Sequence, residues 1–133
     1  MAEKRYIYPE GLMRPPTYTP VVAARGGRTI YVSGQVPVNE KGELVGKGDL
    51  LAQTEQAFRN VDIALKGAGA TFADVVKITT FVVGYKPEHR SIMHQVRSKY
   101  VAKDSMPAST LLGVQALAVA DYLIEVEAVA VAD

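Results

Sequence analysis

The chain contains no cysteine. That absence excludes disulfides, thiolate metal sites and a cysteine nucleophile, and it fits a reducing compartment. Neither sign of charge is in surplus: 15 basic residues face 14 acidic ones, for a formal net charge of +1. Counterion release therefore offers little drive toward a phosphate backbone, and nucleic acid is not an expected partner. No apolar run approaches the roughly 18–20 residues of a membrane span. The opening MAEKRYIYPEG has no apolar signal core. Internal repeats, low-complexity tracts and linkers are absent too. GDLLAQTEQAF lacks a phosphate-binding glycine pattern, and Ser109 has no histidine–aspartate signature or nucleophile elbow around it. What remains is one domain over residues 1–133, expected to be soluble and cytoplasmic.

What is present suffices for a core. Of the 133 residues, 48% are hydrophobic, and a chain of this size folds without staples. Residues 1–16, with YPEGLMRPP, read as an irregular arm. YTPVVAA reads as a strand with an edge or bulge at Pro20. ARGGR is a hairpin turn, and TIYVSGQVPV is a strand rich in β-branched and aromatic residues. From Asp49 the period changes. Leu51, Thr54, Phe58, Val61, Leu65 and Ala68 form one helical stripe, with Asp49 as N-cap and Gly67 or Gly69 as terminator. A strand from Val75 to Val83 follows. KPEHRSIMHQVRSKYVAK is a second, more polar helix with Ile92, Val96 and Tyr100 on one face. STLLGVQAL and YLIEVEAVAVA close the chain as strands.

Two helices cannot cover both faces of such a sheet, so they pack on one. VVKITTFVV and LIEVEAVAV carry apolar residues on both parities, and such strands call for burial on both faces. A monomer cannot supply that, which implies an oligomer whose sheets pack together.

Several phrases in order, YVSGQVPVNEKGEL, QTEQAFRNVDIALKGAGATFADVVKITTFV, MPAST and LIEVEAVAV, resemble the YjgF/Rid family. These are reactive-intermediate deaminases, also called L-PSP endoribonucleases. The resemblance runs from about Tyr18 to Ala132. It implies an α+β, chorismate-mutase-like fold: a mixed six-stranded sheet with two helices on one face, in a barrel-cored homotrimer. Clefts between subunits would bind a small molecule and hydrolyse 2-imino or enamine acids to 2-keto acids and ammonia. No metal or organic cofactor is implied.

Hydrolysing an imine asks a site to hold the substrate, orient a water and manage protons. A substrate carboxylate is best held by the planar fork of an arginine. The resemblance places that arginine in a Pro-Ala-Arg phrase, and here the phrase is Pro107-Ala108-Ser109. A charged, bidentate pair is worth roughly 1.5–3 kcal/mol when desolvated. Specificity is therefore expected to shift from ordinary 2-imino acids, unless Arg14, Arg25, Arg28, Arg90 or Arg97 substitutes.

By the same resemblance Glu125 is the catalytic carboxylate that positions water, while Tyr18, Ser33, Gly34, Gln35, His94 and Ser109 contact the substrate. Pattern alone leaves plainer readings open. Glu125 and Glu127 share one strand face and suit a polar surface or salt bridges. His94 suits a solvated helix face, and Tyr18 suits packing. Ser33-Gly34 is a strand-end turn that admits a ligand or merely a tight bend. His89 and His94, at i,i+5, lie on different helix faces and do not form a metal pair. Two other functions stay open: a non-catalytic trimer that binds a metabolite in the same clefts, and a ribonuclease.

Overall fold

Three charged residues, Glu3, Lys4 and Arg5, precede Tyr6 and Ile7 in EKRYI. In the computed structural model, which describes all 133 residues, this stretch is strand β1 (Glu3–Ile7). It pairs antiparallel with β2 (Val21–Arg25), from Glu3 opposite Arg25 to Ile7 opposite Val21. The arm expected to be irregular over residues 1–16 is thus irregular only beyond Ile7. Side-chain partners supply the reason: across the ribbon Arg25 Nε donates to Glu3 at 2.7 Å, and Lys4 pairs with Asp74 of a separate short turn at 3.0 Å.

ARGGR makes a tight link but not a hairpin. Gly26 and Gly27 adopt φ of +70° and +68°, a region that favours glycine. The strands on either side go to different partners. β2 pairs with β1, whereas β3 (Arg28–Gln35) pairs with β6 (Ile124–Ala132). A Cβ on Gly26 would strike the Met1 carbonyl, and one on Gly27 the Ala132 carbonyl. The close approach of both ladders explains the paired glycines.

Six strands and two α-helices are present, and the fold is α+β. Four strands form a mixed sheet in the order β3-β6-β4-β5, with β4 (Val75–Val83) and β5 (Ala108–Val114) parallel. The other two form the β1–β2 ribbon. Helix α1 (Leu50–Gly67) starts where expected, with the Asp49 carboxylate accepting from the Ala52 N–H. It ends at Gly67, and Gly69 turns the chain away at φ +74°. Helix α2 covers His89–Arg97.

Both helices lie on one face of the sheet. Ile78, Val82, Ile124, Val126 and Ala128 point into a core filled by Phe58, Val61 and Leu65 of α1 and by Met93 and Val96 of α2. The Phe58 ring lies 6.2 Å from Phe72 and 5.8 Å from Tyr100. Its burial contributes about 1.5–3 kcal/mol. Ile92 and Tyr100 pack at the margin of this core, with Met93 and Val96 at its centre. The opposite face carries Lys77, Thr79, Glu125 and Glu127 among half-buried Phe81, Val83 and Val129. Tyr31 stands there 80% exposed. No helix is long and apolar enough to cross a membrane.

Candidate functional site

The phrase MPAST enters β5, the outermost strand of the four-stranded sheet. A second segment fastens it. The Thr19 N–H donates to the Pro107 carbonyl at 3.1 Å, and its hydroxyl donates to the Met106 carbonyl. Thr19 is buried, so these bonds form away from competing water. They draw Thr17 and Tyr18 alongside Ser109. Helix α2 closes the third side. The result is a cavity of about 390 Å³ lined by Tyr18, Tyr85, Met93, His94, Arg97 and Ser109, among others.

Three of its lining residues are basic, Arg90, His94 and Arg97, and none is acidic. Spacings of four and three put them on one face of α2. Arg97 reaches deepest. Its Nη1 donates to Ser109 Oγ at 2.8 Å, while its buried Nε and Nη2 have no hydrogen-bond partner. Burial without an opposite charge pulls its pKa below the ordinary arginine value, to about 10. A smaller cavity of about 130 Å³ on the Thr17–Met106 side is also lined by His94 and Arg97, with Lys103 as a further cation.

The other arginines are elsewhere or engaged. Arg25 pairs with Glu3 at 2.6 Å, and Arg28 donates to the carbonyls of Asp133 and Ala68. Arg14 stacks over the Tyr8 ring at 3.9 Å.

A second group forms across the sheet. Between Val32, opposite Ala128, and Gln35, opposite Val126, the β3–β6 register slips. Ser33 and Gly34 together face Glu127, which is a bulge. A Cβ on Gly34 would occupy the position of the Glu125 carboxylate. Glycine at 34 thus makes room for the Glu125 side chain where it stands, and a larger residue would displace that carboxylate. None of the chain's salt bridges uses Glu125. Ser33 lies on the open face with Tyr31, Lys77, Thr79 and Glu127. Gln35 turns back to the Ser33 carbonyl at 3.2 Å and lines a groove beside Gln56 and Asn60 of α1.

The expected site residues thus fall into two half-sites. Tyr18, His94 and Ser109 share the basic cavity; Ser33, Gly34 and Glu125 share the bulge; Gln35 points elsewhere. Register puts the halves on opposite faces. Ser109 aligns with core-facing Ile78, and Glu125 with Phe81 of the open face. A single chain therefore does not assemble them into one site.

Residues 13–132 match the family described as Endoribonuclease L-PSP. The chain belongs to that family. A RutC family protein of Pyrococcus abyssi is 38% identical over 109 residues, 81% of this chain and 82% of its own. The human 2-iminobutanoate/2-iminopropanoate deaminase is 32% identical over 104 residues, 78% of this chain and 73% of its own. The crystal structure of a Yersinia pestis protein of unknown function, YyfB of the conserved Rid protein family, superposes with a TM-score of 0.90. It is 41% identical, over 97% of this chain and 98% of that one. The basic cavity and the bulge are the two places where this chain gathers the site residues expected from the sequence, Gln35 apart.

Proposed function

We propose that the protein is a cofactor-free hydrolase of small imines or enamines, and that its working clefts lie between copies in a homotrimer. The observation that carries this reading is the Glu125 carboxylate. It stands over a bulge whose glycine leaves it room, and no basic side chain neutralises it. A carboxylate so placed orients a water and accepts its proton.

The reaction balances without a cofactor. The water oxygen bonds to the imine carbon, the carbon–nitrogen bond breaks, and the nitrogen leaves as ammonia after taking protons from water and site. Tyr18, Ser33, His94 and Ser109 contact the substrate in this reading. A second copy brings the basic cavity of one chain to the Glu125 of its neighbour. The half-buried apolar residues of the open face, Phe81, Val83 and Val129, supply the apolar part of that contact. With serine at 109, the substrate's acid group is not gripped by a charge from β5, so specificity is altered unless a cation from another element holds that group. RNA cleavage is the weaker reading, because net charge +1 leaves little electrostatic drive toward a polyanion.

A coupled assay tests the hydrolase reading. An amino-acid oxidase generates 2-imino acids in place, and ammonia release is followed with and without the protein. Acceleration is expected. Thermal stabilisation by the 2-keto acid product without any acceleration would instead make the protein a metabolite binder.

A further inference from the structure

We infer that Arg97, reaching from α2, grips the carboxylate of the substrate and thereby replaces a cation on β5. The identity of the ligand rests on the hydrolase reading above; the anion site itself does not.

A buried arginine is ordinarily paired, because removing its charge from water without compensation is costly. Arg97 has one neutral partner, Ser109, and two buried donors without any. The free donors are Nε–H and Nη2–H, which form one edge of the guanidinium. That edge is the two-pronged fork that matches the two oxygens of a carboxylate. The hydrogen bond from Nη1 to Ser109 fixes the plane of the fork; the other edge is buried and unpaired, so a carboxylate meets it after a small shift of the side chain. The cavity it lines holds no acidic residue that could satisfy it from within the chain.

Ser109 has a further part. A small side chain there keeps the space open and offers an oxygen to Arg97. An arginine at 109 would fill the same space and repel Arg97. In this chain the cation therefore stands on the helix and its neutral partner on the strand. Beyond the fork the wall is formed by Tyr18, Tyr85, Met93 and Leu111. A monocarboxylate with a short apolar tail fits this lining. The substrate class is then a small aliphatic 2-imino acid, held by its acid group from α2.

The test uses the full chain with Arg97→Gln, Arg97→Lys and the double variant Arg97→Gln/Ser109→Arg. One readout is the dissociation constant for 2-oxobutanoate, taken from ligand-dependent melting. The other is KM and kcat for 2-iminobutanoate. Arg97→Gln is expected to raise both constants by roughly 10- to 150-fold. Arg97→Lys recovers part of the loss, and the double variant recovers most of it. The melting temperature without ligand reports whether each variant folds.

Unchanged 2-oxobutanoate affinity in folded Arg97→Gln overturns the proposal. So does imine hydrolysis with an unchanged KM, and in that case the hydrolase reading survives. If the wild type binds 2-oxobutanoate through Arg97 but hydrolyses no imine, the anion site stands and the hydrolase reading falls.

Discussion

Glu125→Gln is expected to lower kcat for imine hydrolysis by about 10²- to 10⁴-fold. The substitution keeps size and shape, so the amide still fits above Gly34, where a Cβ would collide. It removes the negative charge and the ability to take a proton from water. Positioning by hydrogen bonds is partly kept, which is why the loss is set by proton transfer and electrostatics. KM is expected to change little, since in the proposed arrangement the acid group of the substrate is held in the basic cavity. Stability stays within about 0.5 kcal/mol of the wild type, since the residue is half-buried and enters no salt bridge. Initial rates of ammonia release over a range of imine concentrations separate the two constants. A fall of kcat by less than about threefold would remove Glu125 from the chemistry.

Arg97→Met moves stability the other way. The wild type holds a largely buried guanidinium with two donors unsatisfied. Replacing a buried, uncompensated charge with an apolar side chain of similar length gains about 1–3 kcal/mol. Melting temperature then rises by about 3–5 °C per kcal/mol for a chain of this length. Burial lowers the arginine's pKa to about 10 in the folded protein. A base whose folded pKa lies below its unfolded one destabilises the fold wherever it is charged, and the penalty is relieved only as pH rises through about 10. Melting curves of the two proteins between pH 6 and pH 9 therefore differ by a constant amount on this residue's account. A lower melting temperature for Arg97→Met would mean that Arg97 serves as a structural contact. A gain in stability coupled to a loss of ligand binding is the behaviour of a residue kept for function.

Much of the fold is legible in the sequence because its periods are strong. The strand read over Val75–Val83 has those bounds, and α1 begins after Asp49, whose side chain caps it. These elements bury one face against a large core, so pattern and packing agree. Strand β1 was hidden for the opposite reason. Glu3–Ile7 is short and mostly polar, and it owes its form to β2 and to pairing with Arg25 and Asp74. The link at Gly26-Gly27 resembled a hairpin because two glycines at a turn mark local geometry and say nothing of which strand lies alongside.

The site was legible in its anomaly and not in its resolution. By the family resemblance Pro107-Ala108-Ser109 lacks an expected arginine, and five arginines elsewhere in the chain were candidates to stand in for it. Depth is the ground on which Arg97 is proposed among them. Arg25 and Arg28 meet partners of their own, and Arg97 enters a cavity beside Ser109. The available signal was the spacing of Arg90, His94 and Arg97 on one face of α2. The division of the expected residues between two sheet faces was not readable at all. It depends on the parity of β5 against β4, which only strand register supplies.

If the half-sites on opposite faces of one sheet meet between copies, two crippled chains repair each other. Glu125→Gln and Arg97→Met chains are co-expressed, purified as mixed oligomers, and assayed at an imine concentration well below KM. In a cyclic assembly with random mixing, about a quarter of the clefts receive an intact Glu125 from one chain and an intact Arg97 from the next. Activity near that fraction of wild type, well above the mean of the two parents, is the expected result. Activity no greater than the mean of the parents would contradict a shared cleft and leave the Arg97 cavity and the Glu125 bulge as unconnected features of the chain.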